Sequence, residues 1–203
     1  SRPADEPEVN KLAYYSDLAR KTLVENGFSE VSLYALRNKG EVELQNPLAS
    51  DKSFLRKNLS NGLTDSLEQN TYNADVLGLS QIKIFEIGTV FEKEKEYISL
   101  AFAVSGKKDM SKEIIQSLSQ ALGKEIAFEK NGNAFETNFS DFVLGLPSPK
   151  TAEQYPYDDS NMKFRQFSVF PFIVRDVAVF VPAETPASEL ENLILKTSGD
   201  LLV

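Results

Sequence analysis

The sequence predicts an α+β fold in which an antiparallel sheet carries flanking helices, and three stretches predict it. Apolar residues over 82–91 and 97–104 flank the charged run Glu92-Lys93-Glu94-Lys95-Glu96, the pattern of two antiparallel strands around a solvated turn. Ile114, Ile115, Leu118, Ala121 and Leu122 recur at helical spacing over 111–122 and leave one apolar face to be covered. Two further short strands, 125–128 and 134–139, bracket Asn131-Gly132, a pair suited to a hairpin turn. A chain of 203 residues has room for one sizeable domain or one and a half small ones.

Taken in order, residues up to about Pro7 read as a polar lead-in. Val9, Leu12, Ala13, Ala19, Leu23 and Val24 then mark a helix that Asn26-Gly27 ends, because glycine accepts the left-handed conformation past a helix C-terminus. Val31, Leu33 and Ala35 alternate with polar residues as in a half-buried strand. Residues 41–44 read as a short strand and Asn46-Pro47 as a turn. Leu63 and Leu67 lie four apart in a helix over 62–70, and 73–79 forms a loop. Gly123 closes the helix over 111–122. Gly145 to Asn161 is rich in Pro, Ser and Asp, and residues 146–166 are expected to form a linker, or an extension of the core, between a first domain over 1–145 and a second over 167–203. The second opens with a strand over 176–181, apolar without interruption from Val177 and so expected to be buried on both faces. Thr185-Pro186 then starts a helix, with Thr as cap and Leu190, Leu193, Ile194 and Thr197 as its buried side.

Composition removes several chemistries. With no cysteine there are no disulfides, thiolate nucleophiles or cysteine metal sites. With no histidine there is no Ser-His triad or imidazole base, so catalysis would have to use carboxylates, Lys, Arg or Tyr. A net charge of −8 opposes a broad electrostatic grip on nucleic acid. No apolar run approaches the ~20 residues that span a bilayer, and a cytoplasmic protein is expected. Neither G-x-x-x-x-G-K-[ST] nor G-x-G-x-x-G occurs.

Three blocks together carry a resemblance. Lys83-Ile-Phe-Glu-Ile-Gly-Thr-Val-Phe-Glu-Lys-Glu94 resembles the motif 2 strand and loop of class II aminoacyl-tRNA synthetases. The run from Asn46-Pro-Leu through Leu55-Arg56 and Gly62-Leu63 to Asn70 resembles the catalytic-core-like module of the bacterial phenylalanyl-tRNA synthetase β subunit. Phe170-Pro-Phe-Ile-Val-Arg-Asp-Val-Ala-Val-Phe-Val181 resembles the first strand of that subunit's ferredoxin-like anticodon-binding domain. Gly27-Phe-Ser-Glu-Val31 is similar to motif 1, with Tyr34 where a proline usually follows. The resemblance implies an inactive class II core and the start of a truncated ferredoxin-like unit, a piece of a longer protein with the region between Gly106 and Phe164 shortened. It further implies a catalytic α subunit and tRNA as partners, with ATP and magnesium belonging to the whole enzyme and no cofactor held here.

The residues that would do chemistry depart from the family pattern. Motif 2 usually has an arginine after its phenylalanine, a bidentate grip for the ATP α-phosphate. Glu92 stands there and would repel it, and no Gly-rich, Arg-ended motif 3 is found. No catalytic, cofactor-binding or metal residue is therefore assigned. Glu92 and Glu94, among lysines, read as solvated charge. Leu55-Arg56-Lys57-Asn58 matches a run that in several class II enzymes helps form the amino-acid pocket, with Asn58 in place of the acidic residue. Arg56 is thus a candidate for an ion pair or helix-end contact, or for an interface or ligand role. Glu86 lies in an apolar strand and needs either exposure or a cationic partner. Arg175 is the second candidate, RNA-facing by the resemblance or a structural partner at a strand start. A residual ATP or adenylate site and direct tRNA binding stay open as alternatives to a non-catalytic role.

Overall fold

The computed structural model describes residues 9–74, 76, 78–106, 110–149, 164, 166, 169 and 173–199. The chain divides into two compact units, residues 1–163 and 164–203. Most of the predicted linker lies outside the described residues.

The first unit opens with α1 (Lys11–Glu25), which Asn10 caps by accepting the Ala13 N–H. Tyr15, Ala19 and Leu23 form its buried stripe, while Val24 faces solvent. Gly27, at φ +81°, turns the chain into β1 (Ser29–Glu30). The strand expected over 31–35 does not form. Val31 still donates to the Phe85 carbonyl, but the Leu33 N–H turns to the Glu86 side chain and the Leu33 and Ala35 carbonyls are taken by Arg56. The backbone groups that would extend the ladder are thus used by residues elsewhere in the fold.

An excursion follows, in which β2 (Leu36–Arg37) pairs with β3 (Phe54–Leu55). Of the strand expected over 41–44, only Glu43 forms a bridge, with Phe54. The helix α2 (Ser60–Thr71) comes next. β4 (Lys83–Glu92) and β5 (Lys95–Val104) pair along their full length, from Lys83 opposite Val104 to Glu92 opposite Lys95. The charged tip is therefore smaller than predicted. Only Lys93 and Glu94 turn, and a Glu92–Lys95 ion pair at 3.2 Å closes the ladder. α3 (Ser111–Leu122) matches its predicted span, with Gly123 left-handed at φ +73°. Ile114, Leu118 and Leu122 are buried along it, while Ala121 faces solvent.

The last hairpin is shifted from its predicted place. Its strands are β6 (Glu129–Asn131) and β7 (Ala134–Asn138), and Gly132-Asn133 forms the turn, with Gly132 at φ +61°. Residues 125–128 are not a strand, although Ile126 is buried, its N–H donating to Ser119 Oγ at 3.2 Å. Phe139 begins a short helix, α4 (Phe139–Leu144), because Asn138 accepts the Asp141 N–H as a cap.

The main sheet has the order β1-β4-β5-β7-β6, with β1 parallel to β4 and the other pairs antiparallel. Alternation along the strands sends side chains to two faces. Phe85, Leu100 and Phe102 face α1, α3 and α4, where Phe102 meets Phe28 and Phe128 edge-on and stacks on Phe135. Ile84, Val90, Ala101, Ala103 and Ala134 face α2 and pack on Leu63 and Leu67. The result is an α+β core with a mostly antiparallel sheet between helices.

The second unit departs from expectation. Residues 173–182 form no strand and are exposed, because no neighbouring strand among the described residues of that unit completes a ladder. The helix α5 (Ala187–Ser198) begins after Pro186, which occupies the cap position one residue later than predicted and offers no capping side chain. Leu193, Ile194 and Thr197, expected to be buried, are exposed, and Leu190 is half-buried.

Candidate functional site

The α2-facing side of the sheet has a floor of small residues. Gly88, Ser99, Ala101, Ala103 and Ala134 alternate with the large residues of the opposite face, so α2 can lie close. Over this floor the chain sets Arg56. Its Nη1 donates to Glu86 Oε1 at 2.7 Å and to the Leu33 carbonyl at 3.3 Å, and its Nε donates to the Thr89 carbonyl at 2.8 Å. The side chains are 8% and 5% exposed, so the ion pair is shut away from water. Gly88 makes this possible, because a Cβ there would collide with the guanidinium. The Arg56 main chain is held separately, donating to Ala35 O at 2.7 Å and accepting from Phe91 N at 2.9 Å.

A second carboxylate, Glu136, lies on the same face. It takes the Leu59 N–H on Oε1 and the Ser60 N–H on Oε2, each at 2.9 Å, which makes it a cap supplied from β7 to the N-terminus of α2. The Ser60 and Ser99 hydroxyls donate to it as well. Asn58 completes the helix start by accepting the Asn61 N–H at 3.0 Å. The residue that departs from the acidic family pattern is thus a helix cap in this fold.

Beside Glu136 opens a cleft of 540 Å³, lined by Lys57, Asn58, Tyr97, Ser99, Glu136 and Asn138 among others. Its described lining holds one cation, Lys57, and two carboxylates, Glu129 and Glu136. That balance disfavours a polyphosphate, and the Glu136 oxygens are already taken by four protein donors. Tyr97 donates its hydroxyl to Glu92 at 3.0 Å. Desolvation first, and then the Glu92 hydrogen bond, push the Tyr97 pKa up to about 12. In return the Tyr97 hydrogen bond, followed by Lys95, lowers that of Glu92. No group of three or more His, Cys, Asp or Glu that could hold a metal ion occurs among the described residues.

Of the sequence candidates, Arg56 is buried at the centre of this face and Glu86 is its partner. Arg175 is exposed, outside regular secondary structure, in the other unit. Glu136, Ser60 and Ser99 were not singled out from the sequence. Their only signal is that Glu136 shares the α2-facing parity of β7 with the buried Ala134.

A family model described as the phenylalanyl tRNA synthetase beta chain CLM domain matches residues 3–136. The chain belongs to this family. Curated relatives agree. The phenylalanine–tRNA ligase β subunit of Aster yellows witches'-broom phytoplasma is 24% identical, over 88% of this chain and 27% of its own length. That of Streptococcus pneumoniae serotype 4 is 25% identical over 96% of this chain and 32% of its own. That of Helicobacter pylori J99 is 26% identical over 92% of this chain and 26% of its own. This CLM-domain chain therefore spans about a quarter to a third of the relatives it matches. Among solved structures, pyrrolysyl-tRNA synthetase from Desulfitobacterium hafniense is similar at a TM-score of 0.47 and 20% identity, over 63% of this chain and 52% of that one.

Proposed function

We propose that this CLM-domain chain is a non-catalytic scaffold of a phenylalanine–tRNA ligase β subunit. In this reading it packs against the catalytic α subunit of a cytoplasmic enzyme that joins phenylalanine to tRNA with ATP. The observation that carries the reading is the Arg56 guanidinium lying over Gly88 and paired with Glu86, which fills the sheet face with the chain's own side chain. Glu92 supports it from sequence, because it stands where motif 2 would need an arginine and would repel a phosphate. ATP and magnesium then belong to the whole enzyme, and residues 1–145 form the core. Residues 146–166 connect it to 167–203, the beginning of a ferredoxin-like anticodon-binding domain in which Arg175 faces tRNA.

The test is co-purification of this chain with its tagged cognate α subunit, followed by sizing, alongside calorimetric titration with ATP. A stoichiometric complex and no ATP heat are expected. Micromolar ATP binding that Glu92→Arg fails to strengthen would defeat the pseudo-active-site reading in favour of a residual nucleotide site. Tight tRNA binding that falls steeply with salt would instead favour direct RNA recognition.

A further inference from the structure

We propose that the α2-facing side of the sheet contains a guanidinium-binding cradle that Arg56 occupies in cis, and that the cradle accepts a free alkylguanidinium cation once this side chain is removed. This goes beyond the subunit reading and stands whether or not an α subunit binds. The cradle has the three features that recognition of a planar cation requires. Its three acceptors come from two segments, Glu86 Oε1 at 2.7 Å and Thr89 O at 2.8 Å on β4 and Leu33 O at 3.3 Å on the chain after β1, each measured from the donating nitrogen. Its floor is open because Gly88 has no Cβ. It also excludes water, so each contact acts at low dielectric.

Two further observations favour a cradle whose walls stay in place when the Arg56 side chain is removed, although the vacated Glu86 charge makes the empty site costly. The Arg56 main chain is anchored by Ala35 O and Phe91 N, so truncating the side chain leaves the walls tied. Glu86 Oε2 is buried and has no hydrogen-bond partner among the described residues, so the site keeps an acceptor that Arg56 does not use. A free guanidinium, no longer tethered to the chain, can turn toward it. An ammonium cannot substitute, since its donors are not arrayed as a planar fork.

The experiment measures Tm for wild type, Arg56→Ala and Arg56→Ala/Glu86→Gln during titration with millimolar ethylguanidinium or ethylammonium. Arg56→Ala should show a saturable rise of about 2–4 °C with ethylguanidinium at several times Kd. Wild type, the double variant and ethylammonium should give no rise. Equal rises with the two cations, or no rise in Arg56→Ala, would overturn the proposal. If Arg56→Ala does not fold, wild-type protein decides by NMR hydrogen exchange at the assigned Arg56 Nε–H. Strong protection relative to Arg20 and Arg37 is expected, and exchange as fast as theirs would overturn the cradle.

Discussion

Glu86 and Glu136 flank Ala101 on the same face of the sheet, each one strand away from it. Their backbone positions are thus about 10 Å apart at the ordinary strand spacing, and the chain compensates the two carboxylates by different means. Glu86 receives a full countercharge from Arg56, whereas Glu136 receives backbone amides and hydroxyls. The two sites should therefore respond differently to mutation.

Removing one half of the buried pair should be severe. Glu86→Ala or Arg56→Ala leaves an uncompensated charge inside and is expected to cost about 3–5 kcal/mol. Replacing both with apolar residues of similar size, Arg56→Met with Glu86→Leu, should recover most of that loss. Urea denaturation of the three variants checks the order, and a double variant no better than the singles would contradict it.

Gly88→Ala adds one methyl group where the Arg56 guanidinium lies. The side chain must shift out of its hydrogen bonds, so a destabilisation of about 1–3 kcal/mol is expected. In the Arg56→Ala background the same substitution should cost much less, and equal costs in both backgrounds would show that the crowding is not with Arg56.

Glu136→Ala removes a cap rather than a countercharge. The predicted loss is about 1–3 kcal/mol. Hydrogen exchange should localise it, with the Leu59 and Ser60 amides losing protection while those of Phe85 and Phe102 keep theirs. Uniform loss across the sheet would mean that Glu136 supports the whole core.

Tyr97 gives a prediction at alkaline pH. Its folded pKa of about 12 lies above the reference 10.0, so the folded chain holds the phenolic proton more tightly. The resulting stabilisation is complete below about pH 10 and is lost as pH rises through about 12. Tyr97→Phe should flatten that part of the stability profile and remove the latest step of the phenolate absorbance titration. An unchanged profile would contradict the assignment.

Legibility from the sequence followed the range of the interactions involved. The β4–β5 hairpin and α3 were readable because their periods of two and 3.6 run for ten residues or more. The six-residue α4 was not, since Phe-Ser-Asp-Phe-Val-Leu is too short to show a helical period and follows directly on a strand. Sequence showed that Glu86 needed exposure or a cation, but no local rule selects Arg56, thirty positions away. Glu136 is harder still, because two of its four donors are the backbone amides at 59 and 60, which carry no residue signature, and the other two are serine hydroxyls 76 and 37 positions away.

The parallel pairing of β1 with β4 also bears on how the chain folds. Ser29 lies opposite Ile84, about 55 positions later, so α2 and the β2–β3 excursion must be enclosed before those strands meet. The β4–β5 hairpin closes across two residues and has no comparable entropy barrier. We therefore expect the hairpin to be formed in the folding transition state and the β1 edge to dock afterwards. Substitutions at Val31 should then mainly speed unfolding, with φ-values near zero, while substitutions at Val90 or Leu100 slow folding. Kinetic persistence of the native state would be set at a two-residue strand on the margin of the sheet, and its core would instead set how quickly that state is reached.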